Sequence, residues 1–312
     1  MEKLDFIEKP LISIIITYYN MGKYIDSCIK SINNQTYKNF EVIIVDDASD
    51  EENSNKLQNI KNAKIIKLEE NKGQLCALCE GLKVAKGEFI CMVDADDILL
   101  PKYLEIILKA HLNNNYALIS SSRGEINEKG EVLSLNQNLK AINYSQTEQL
   151  FNTKDYFEIN KVKAPFGLWC WNPSTSAMWR KNAIDILEYF PNKEYWRSGA
   201  DKVIFSLLHL IGGSANIDAV LFLYRTHSSN NFNSSSFSGN KKYLSSNTID
   251  KLIDWNIKLR IDTLKMFILN KREICKKYNK INYYSMLLRI IFCIDLKTFL
   301  KIFKTLIYKI LP

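Results

Sequence analysis

The chain alternates short, continuous apolar runs with stretches whose apolar residues recur at helical spacing. Leu11 to Thr17 (LISIIIT) is a short apolar run rich in β-branched residues, so it reads as a buried strand. Ile25, Cys28, Ile29 and Ile32 follow at the spacing of one helix face. Glu41 to Val45 (EVIIV) predicts a second buried strand, ending in Asp46-Asp47, and Ala63 to Leu68 a third after a polar helical stretch. Leu75, Leu78, Cys79 and Leu82 predict another amphipathic helix. Glu88 to Val93 (EFICMV) is a fourth strand and again ends in carboxylates. Pro101 opens a helix, where its missing N–H costs nothing, and Tyr116 to Ser121 reads as a fifth strand.

Strands alternating with helices imply right-handed βαβ units and a mostly parallel α/β sheet flanked by helices. Ligands of such sheets sit beyond the carboxyl ends of the strands. Three polar clusters fall there: Thr17-Tyr18-Tyr19-Asn20, Asp46-Asp47 and Asp94-Ala95-Asp96-Asp97. The pattern blurs after residue 122. Residues 123–150 read as a hairpin or loop, residues 165–199 hold Trp169, Trp171, Trp179 and Trp196, and residues 228–247 form a Ser/Asn-rich flexible segment or lid. From about residue 248 the pattern is helical to the end. We therefore divide the chain at residue 240, into a body of 1–240 and a helical extension of 241–312.

Composition changes this picture little. The 312 residues are 46% hydrophobic and 24% charged, ordinary for a globular protein, which excludes disordered, collagenous and disulfide-scaffold chains. No run of about 18 apolar residues appears, so no spanning helix is expected. The acidic N-terminus does not read as a signal peptide. Seven cysteines without an export signal point to reduced thiols in a cytosol. The lone Cys76-x-x-Cys79 has no second pair, and both read as small core residues on one helix face.

Charge is more informative. Residues 241–312 hold 16 Lys/Arg against 5 Asp/Glu, while the rest holds 26 against 29. Between Phe299 and Leu311 the apolar residues share one helical face and Lys301, Lys304 and Lys309 the other. Two readings stay open for residues 296–312: in-plane docking on an anionic membrane, or packing on the body or across a homodimer. A nucleic-acid partner is not expected, because the tail aromatics fall largely on the apolar face.

The chemistry-bearing residues start with Asp94-Ala95-Asp96, carboxylates at i and i+2 directly after a strand. Hard divalent cations such as Mg²⁺ or Mn²⁺ are often held by one or two carboxylates plus substrate phosphates. Asp clusters also cap helices and fill turns, and Asp47 or Asp201 could cap the helix that follows it. Neither G-x-G-x-x-G nor G-x-x-x-x-G-K-[ST] is present, which disfavours dinucleotide oxidoreductases and P-loop kinases. No G-x-S-x-G supports a serine nucleophile.

Four segments carry a resemblance: LISIIITYYN through VIIVDDASD, NKGQLCALCEGLKVAKGEFICMVDADDILLPKYL, SGADKVIFSLL and LFLYRTHSSNN. In this order, from about residue 10 to 232, they resemble family-two glycosyltransferases with the GT-A fold. The resemblance implies an inverting transferase that moves a sugar from a nucleotide-sugar, a UDP-sugar, to a hydroxyl of a glycan or lipid-linked glycan. It implies Thr17 and Tyr19 at the base pocket, Asp47 as acceptor from the uracil N–H, and Asp94 near the ribose. Asp96 matches the metal ligand, His227 a position completing the metal or diphosphate site, and Asp201 the catalytic base. The implied cofactor is Mn²⁺ or Mg²⁺. The implied context is bacterial surface-glycan synthesis in the cytoplasm, at or near the inner face of the membrane. Two positions depart from the pattern: Ala200 stands where a Glu is usual, and Cys79 where many members carry Asn. Trp169 and Trp171 could stack on an acceptor sugar or pack in the core. The competing class is a non-catalytic nucleotide-sugar or glycan-binding protein on the same fold.

Overall fold

The computed structural model describes residues 9–134, 159–167, 169–228, 230, 246–278 and 280–291. The expected alternation appears in its first half. Strands β1 (Ile12–Tyr18), β2 (Phe40–Asp46), β3 (Ala63–Lys67) and β4 (Phe89–Asp94) are parallel. Helices α1 (Ile25–Asn33), α2 (Glu51–Lys56) and α3 (Gln74–Val84) connect them. After β4 come the two-residue β5 (Ile98–Leu99), α4 (Tyr103–Asn113), β6 (Leu118–Ile126), β7 (Val132–Ser134) and β8 (Ile159–Lys161). Strand β9 (Ala177–Arg180), helix α5 (Ala200–Gly212) and strand β10 (Ser214–Arg225) complete the α/β body. Helices α6 (Ser246–Leu269), α7 (Lys271–Tyr278) and α8 (Lys280–Ile291) follow.

Among the described residues one mixed sheet runs in the order β3-β2-β1-β4-β9-β6-β10-β5, with β7 beside β6 and β8 beside β10. Strand β9 is antiparallel to both neighbours, β4 and β6, while β6 and β10 are parallel. The sheet is thus mostly parallel with an antiparallel insertion, which agrees with the expected fold class. The expected fifth strand begins two residues later and ends five residues later. The segment after it opens as a hairpin, because Asn127 accepts from Gly130 N–H and donates to Glu131 C=O. Residues 135–150 lie outside the described residues.

The strand sequences explain the layering. In β1, Ile12, Ile14 and Ile16 enter one core with α1 and α4, while Ile15 enters the other with α3 and α5. This is the period-2 alternation of a strand covered on both faces. The second core continues into the extension. Trp255, Leu259 and Phe267 of α6, Ile274 of α7, and Tyr283, Met286 and Ile290 of α8 pack in one cluster with Val203, Ile204 and Leu207 of α5. Arg289 Nη1 also donates to Leu210 C=O at 2.8 Å. The described helices of the extension therefore share the core of the body. The dividing residue 240, the Ser/Asn-rich residues 231–245 and the basic segment 296–312 lie outside the described residues. Among the described residues no helix is long and apolar enough to cross a membrane.

Cys79 packs partly buried against the core, as expected, whereas Cys76 does not. Both are half-buried and line a surface groove between α3 and residues 181–195, with Leu75, Ala77 and Leu78 taking fully buried positions. Burial raises both thiol pKa values, Cys79 to about 11, so neither is held as a thiolate.

Because Leu259 is fully buried against the body, Leu259→Ala should cost about 2–5 kcal/mol. Urea unfolding of wild type should then show one transition that moves as a whole in the variant. Two separate transitions would show an extension that folds by itself.

Candidate active site

The site begins where β1, β2 and β4 end side by side. Thr17 pairs in register with Val45 and Asp94, and Tyr18 with Asp46. Alternation sends Tyr18 inward, where its hydroxyl donates to Asn53 C=O at 2.7 Å. Thr17 is left half-buried, and Tyr19, beyond the strand, is 48% exposed at the crevice mouth. Asn20 and Ala48 adopt positive φ, folding the two strand-end turns together. Asn20 N–H donates to Ser49 Oγ, and Asp50 N–H to Asn20 Oδ1.

The neighbouring carboxylates divide their work. Asp46 accepts from Ser49 N–H and from Ser54 Oγ. Asp50, not Asp47, caps α2, accepting from Asn53 N–H at 2.9 Å. Asp47 instead accepts from the backbone N–H groups of Lys72 and Gly73, each at 2.8 Å. Burial raises its pKa, although those amides and Arg197 pull the other way. The loop it grips is fixed by close approach. Gly73 sits at φ +88°, and a Cβ there would lie 2.4 Å from Arg197 Cα. Gln74 and Leu75 N–H donate to the carbonyls of Arg197 and Trp196.

Beyond β4, Asp96 is buried and its Oδ2 lies 2.8 Å from His227 Nε2. The His227 ring packs on Tyr24 with centroids 4.8 Å apart. Arg225, 3% exposed, braces this corner. Its Nε donates to Asp96 C=O at 2.7 Å and its backbone N–H to Asp97 Oδ1 at 3.0 Å. Its Nη1 reaches the carbonyls of Asn127 and Glu128, its Nη2 reaches Ser27, and its plane lies 5.1 Å from the Tyr24 ring. Asp97 is fully buried. Its pKa stands well above the usual range through burial and the charges of Asp96 and Asp94.

Asp94 joins this corner to α5. Its Oδ1 accepts from Gln74 Nε2 at 3.1 Å, its Oδ2 from Ser174 Oγ, and its N–H donates to Thr175 Oγ1. The same Gln74 accepts, through Oε1, from Ala200 N–H at the start of α5. One amide side chain therefore ties Asp94 to the turn that carries Asp201. Burial and the Asp96 charge push Asp94 up to about 7, against the hydrogen bond from Ser174, and Asp201 adds to the rise.

Asp201 is the second residue of α5, with Gly199 at φ +80° in the cap position. It is not the helix cap; its Oδ1 accepts from Lys202 N–H. Burial lifts its pKa to about 6, opposed by the Lys202 amide and ammonium. Ala200, at the position where a Glu is usual, is fully buried and offers the crevice no side-chain polar atom.

Trp169 and Trp171 sit against α5. Trp169 stacks on Phe205 at 5.8 Å and is half-buried. Trp171 is 6% exposed, and its Nε1–H donates to Ser214 Oγ at 3.0 Å, a packing environment. The sequence reading missed Gln74, Ser174, Thr175 and Tyr24. Arg225 stood in a quoted segment without a role.

Residues 13–185 match the model of the family described as Glycosyl transferase family 2. The chain belongs to that family. Its glycosyltransferase relatives include an uncharacterized glycosyltransferase of Haemophilus influenzae, 30% identical over 70% of this chain and 66% of the relative. Another, of Rickettsia conorii, is 38% identical over 39% of this chain and 20% of the relative. The glycosyltransferase GlyG of Streptococcus pneumoniae is 37% identical over 31% of this chain and 34% of the relative. The chain thus spans between a fifth and two-thirds of the length of these relatives. Among solved structures, S. aureus TarS 1–349 in complex with UDP-GlcNAc aligns with a TM-score of 0.54 at 19% identity, covering 80% of this chain and 66% of that one. Its complex with UDP aligns at 0.52 and 16%, covering 88% and 90%. This likeness concerns the fold, which is the GT-A arrangement of a family-2 glycosyltransferase.

A carboxyl whose pKa rises on folding favours the fold while protonated and opposes it once charged. For Asp201 that cost grows as the pH rises from 3.8 through about 6. Asp201→Asn keeps the Lys202 contact and should melt above wild type at pH 8, with the difference gone by pH 4. Equal melting temperatures at pH 8 would show that Asp201 ionises freely.

Proposed function

We propose that the chain is an inverting glycosyltransferase that takes a sugar from a nucleotide-sugar, a UDP-sugar, and places it on a hydroxyl of a glycan or lipid-linked glycan. The observation that carries this reading is the cluster in which Asp96 meets His227 and Gln74 bridges Asp94 to the turn that carries Asp201. The UDP and UDP-GlcNAc complexes of the similarly folded TarS support the donor class.

The roles follow from the groups. The Asp47 carboxylate has about four acceptor sites, and its two backbone bonds leave capacity to accept from a uracil imide. Thr17 and Tyr19 stand at the end of the neighbouring strand β1, whose Tyr18 C=O accepts from Asp47 N–H, and the exposed Tyr19 ring offers a face to a base. Asp94, held by Gln74 and Ser174, is placed to receive ribose or sugar hydroxyls. Asp201, with a pKa near 6, is charged at neutral pH and can take the proton from the attacking hydroxyl. One displacement at the anomeric carbon then inverts it, and no protein nucleophile is required.

A divalent cation fits the corner. Among the described residues no group of three His, Cys, Asp or Glu could cage a metal. Asp96 and His227 supply one carboxylate and one imidazole, the sparse donor set of a Mn²⁺ or Mg²⁺ ion that fills its shell with phosphate oxygens and water. Such an ion, when bound, neutralises charge on the leaving diphosphate. The protein's part is to hold Asp96 through Arg225 and to close the corner with Tyr24.

Incubation with a panel of UDP-sugars, with UDP release as the readout, tests the activity. Asp201→Asn should lower kcat/KM by about 10²–10⁴-fold while leaving UDP affinity unchanged, and wild-type kcat/KM should fall below about pH 6 as Asp201 protonates. A fully active variant would place the base elsewhere. UDP binding without turnover of any donor would favour a non-catalytic binding protein.

A further inference from the structure

Next to Asp201 the structure gathers buried donors with little to accept from them. Lys202 is 5% exposed. Its Nζ donates to Gly167 C=O at 3.2 Å and lies 5.9 Å from the Trp169 ring centroid. An ammonium has three donors, and among the described residues this is the one hydrogen bond its Nζ makes. Arg260, from α6, comes to the same glycine. Gly167 has φ +84°, and a Cβ built on it would lie 3.3 Å from Arg260 Nε. Among the described residues, that Nε is buried without a hydrogen-bond partner, and so is Trp169 Nε1. Three donors, two of them on cations, therefore gather around Gly167 and Trp169 with acceptor capacity missing. Burial and the Arg260 charge push the Lys202 pKa down to about 8, with Asp201 the opposing charge.

Buried donors without partners are rare and costly. A structural peg for the 167 carbonyl would account for one Lys202 hydrogen bond. It would not account for Arg260 Nε or Trp169 Nε1. Trp169 and Cys170 are half-buried, so the cluster lies just beneath the surface. An anion placed there would accept charge-assisted hydrogen bonds, while the Trp169 face could meet a sugar ring.

We propose that Lys202, Arg260 and Trp169 Nε1 bind an anionic group of the acceptor, a carboxylate or a phosphate, and so bring its hydroxyl to Asp201. The proposal rests on the reading of Asp201 as the base of a glycosyltransferase. It names the acceptor as an acidic or phosphorylated glycan rather than a neutral one.

The test is binding of three probes by ligand-observed NMR to the full chain saturated with UDP: methyl β-D-glucopyranoside, its 6-carboxylate (the methyl glucuronoside) and glucose 6-phosphate. At least one anionic probe should bind about tenfold tighter than the neutral glycoside, the worth of one charge-assisted contact. Preference for the glucuronoside identifies a carboxylate, and preference for glucose 6-phosphate a phosphate. Lys202→Met and Arg260→Met should each bring the ratio near one, with UDP affinity unchanged and the melting temperature equal or higher. Equal binding of all three probes by wild type, or a preference that survives both variants, would overturn the proposal. Failure of wild type to bind UDP would instead count against the donor reading, and the anion preference could still be measured without it.

Discussion

The site depends on holding three carboxylates at the end of one strand. Asp94, Asp96 and Asp97 crowd into a crevice where burial raises the cost of charge. Arg225 makes this arrangement tolerable. It sits at the end of β10, the strand farthest in sequence from β4 among those of the sheet, and spends its guanidinium and its backbone N–H on the Asp96–Asp97 turn. The same side chain fastens the β6–β7 turn and α1 to that corner, and its face rests on Tyr24. Removing it would leave buried acids facing one another and three elements without a common anchor.

The opposite wall is built by different means. Asp201 and Asp94 come from residues over a hundred positions apart, and a neutral amide, Gln74, spaces them. Glycine makes that spacing possible at two places. Gly73 lets its loop press against Arg197, and Gly199 lets α5 start against the Trp255 ring. The C-terminal helices therefore bear on the site directly, through Trp255 at Gly199 and Arg260 at Gly167. The raised carboxyl pKa values of Asp94, Asp97 and Asp201 are the stability cost of this design.

Much of this was legible from residue order. β1, β2 and β4 were readable because strands buried on both faces are continuous apolar runs, and their acidic ends followed from the topology of parallel sheets. β9 and β10 were not. β9 is four residues long between 3₁₀ turns, and β10 changes register twice against β6, so neither shows a clean period. Asp94 and Asp96 were singled out by their spacing after a strand and His227 by resemblance, and the structure brings them to one corner. Gln74 and Ser174 were invisible, since an amide and a hydroxyl carry no signature until their long-range partners are known. The Asp residues after β2 show the limit within a single motif. Three carboxylates in five residues take three different partners, and only coordinates separate Asp50 the cap from Asp47 the loop clasp.

The central claim is that the Asp96–His227 corner and the Asp47 loop form one site for a nucleoside diphosphate and a divalent cation. Calorimetric titration of UDP into the protein, with and without Mn²⁺, tests it most directly. The account predicts that UDP binds at least about tenfold tighter with Mn²⁺, because charge on the diphosphate is otherwise unmatched beside three acids. Equal affinity with and without the ion, or no binding of UDP at all, would contradict it.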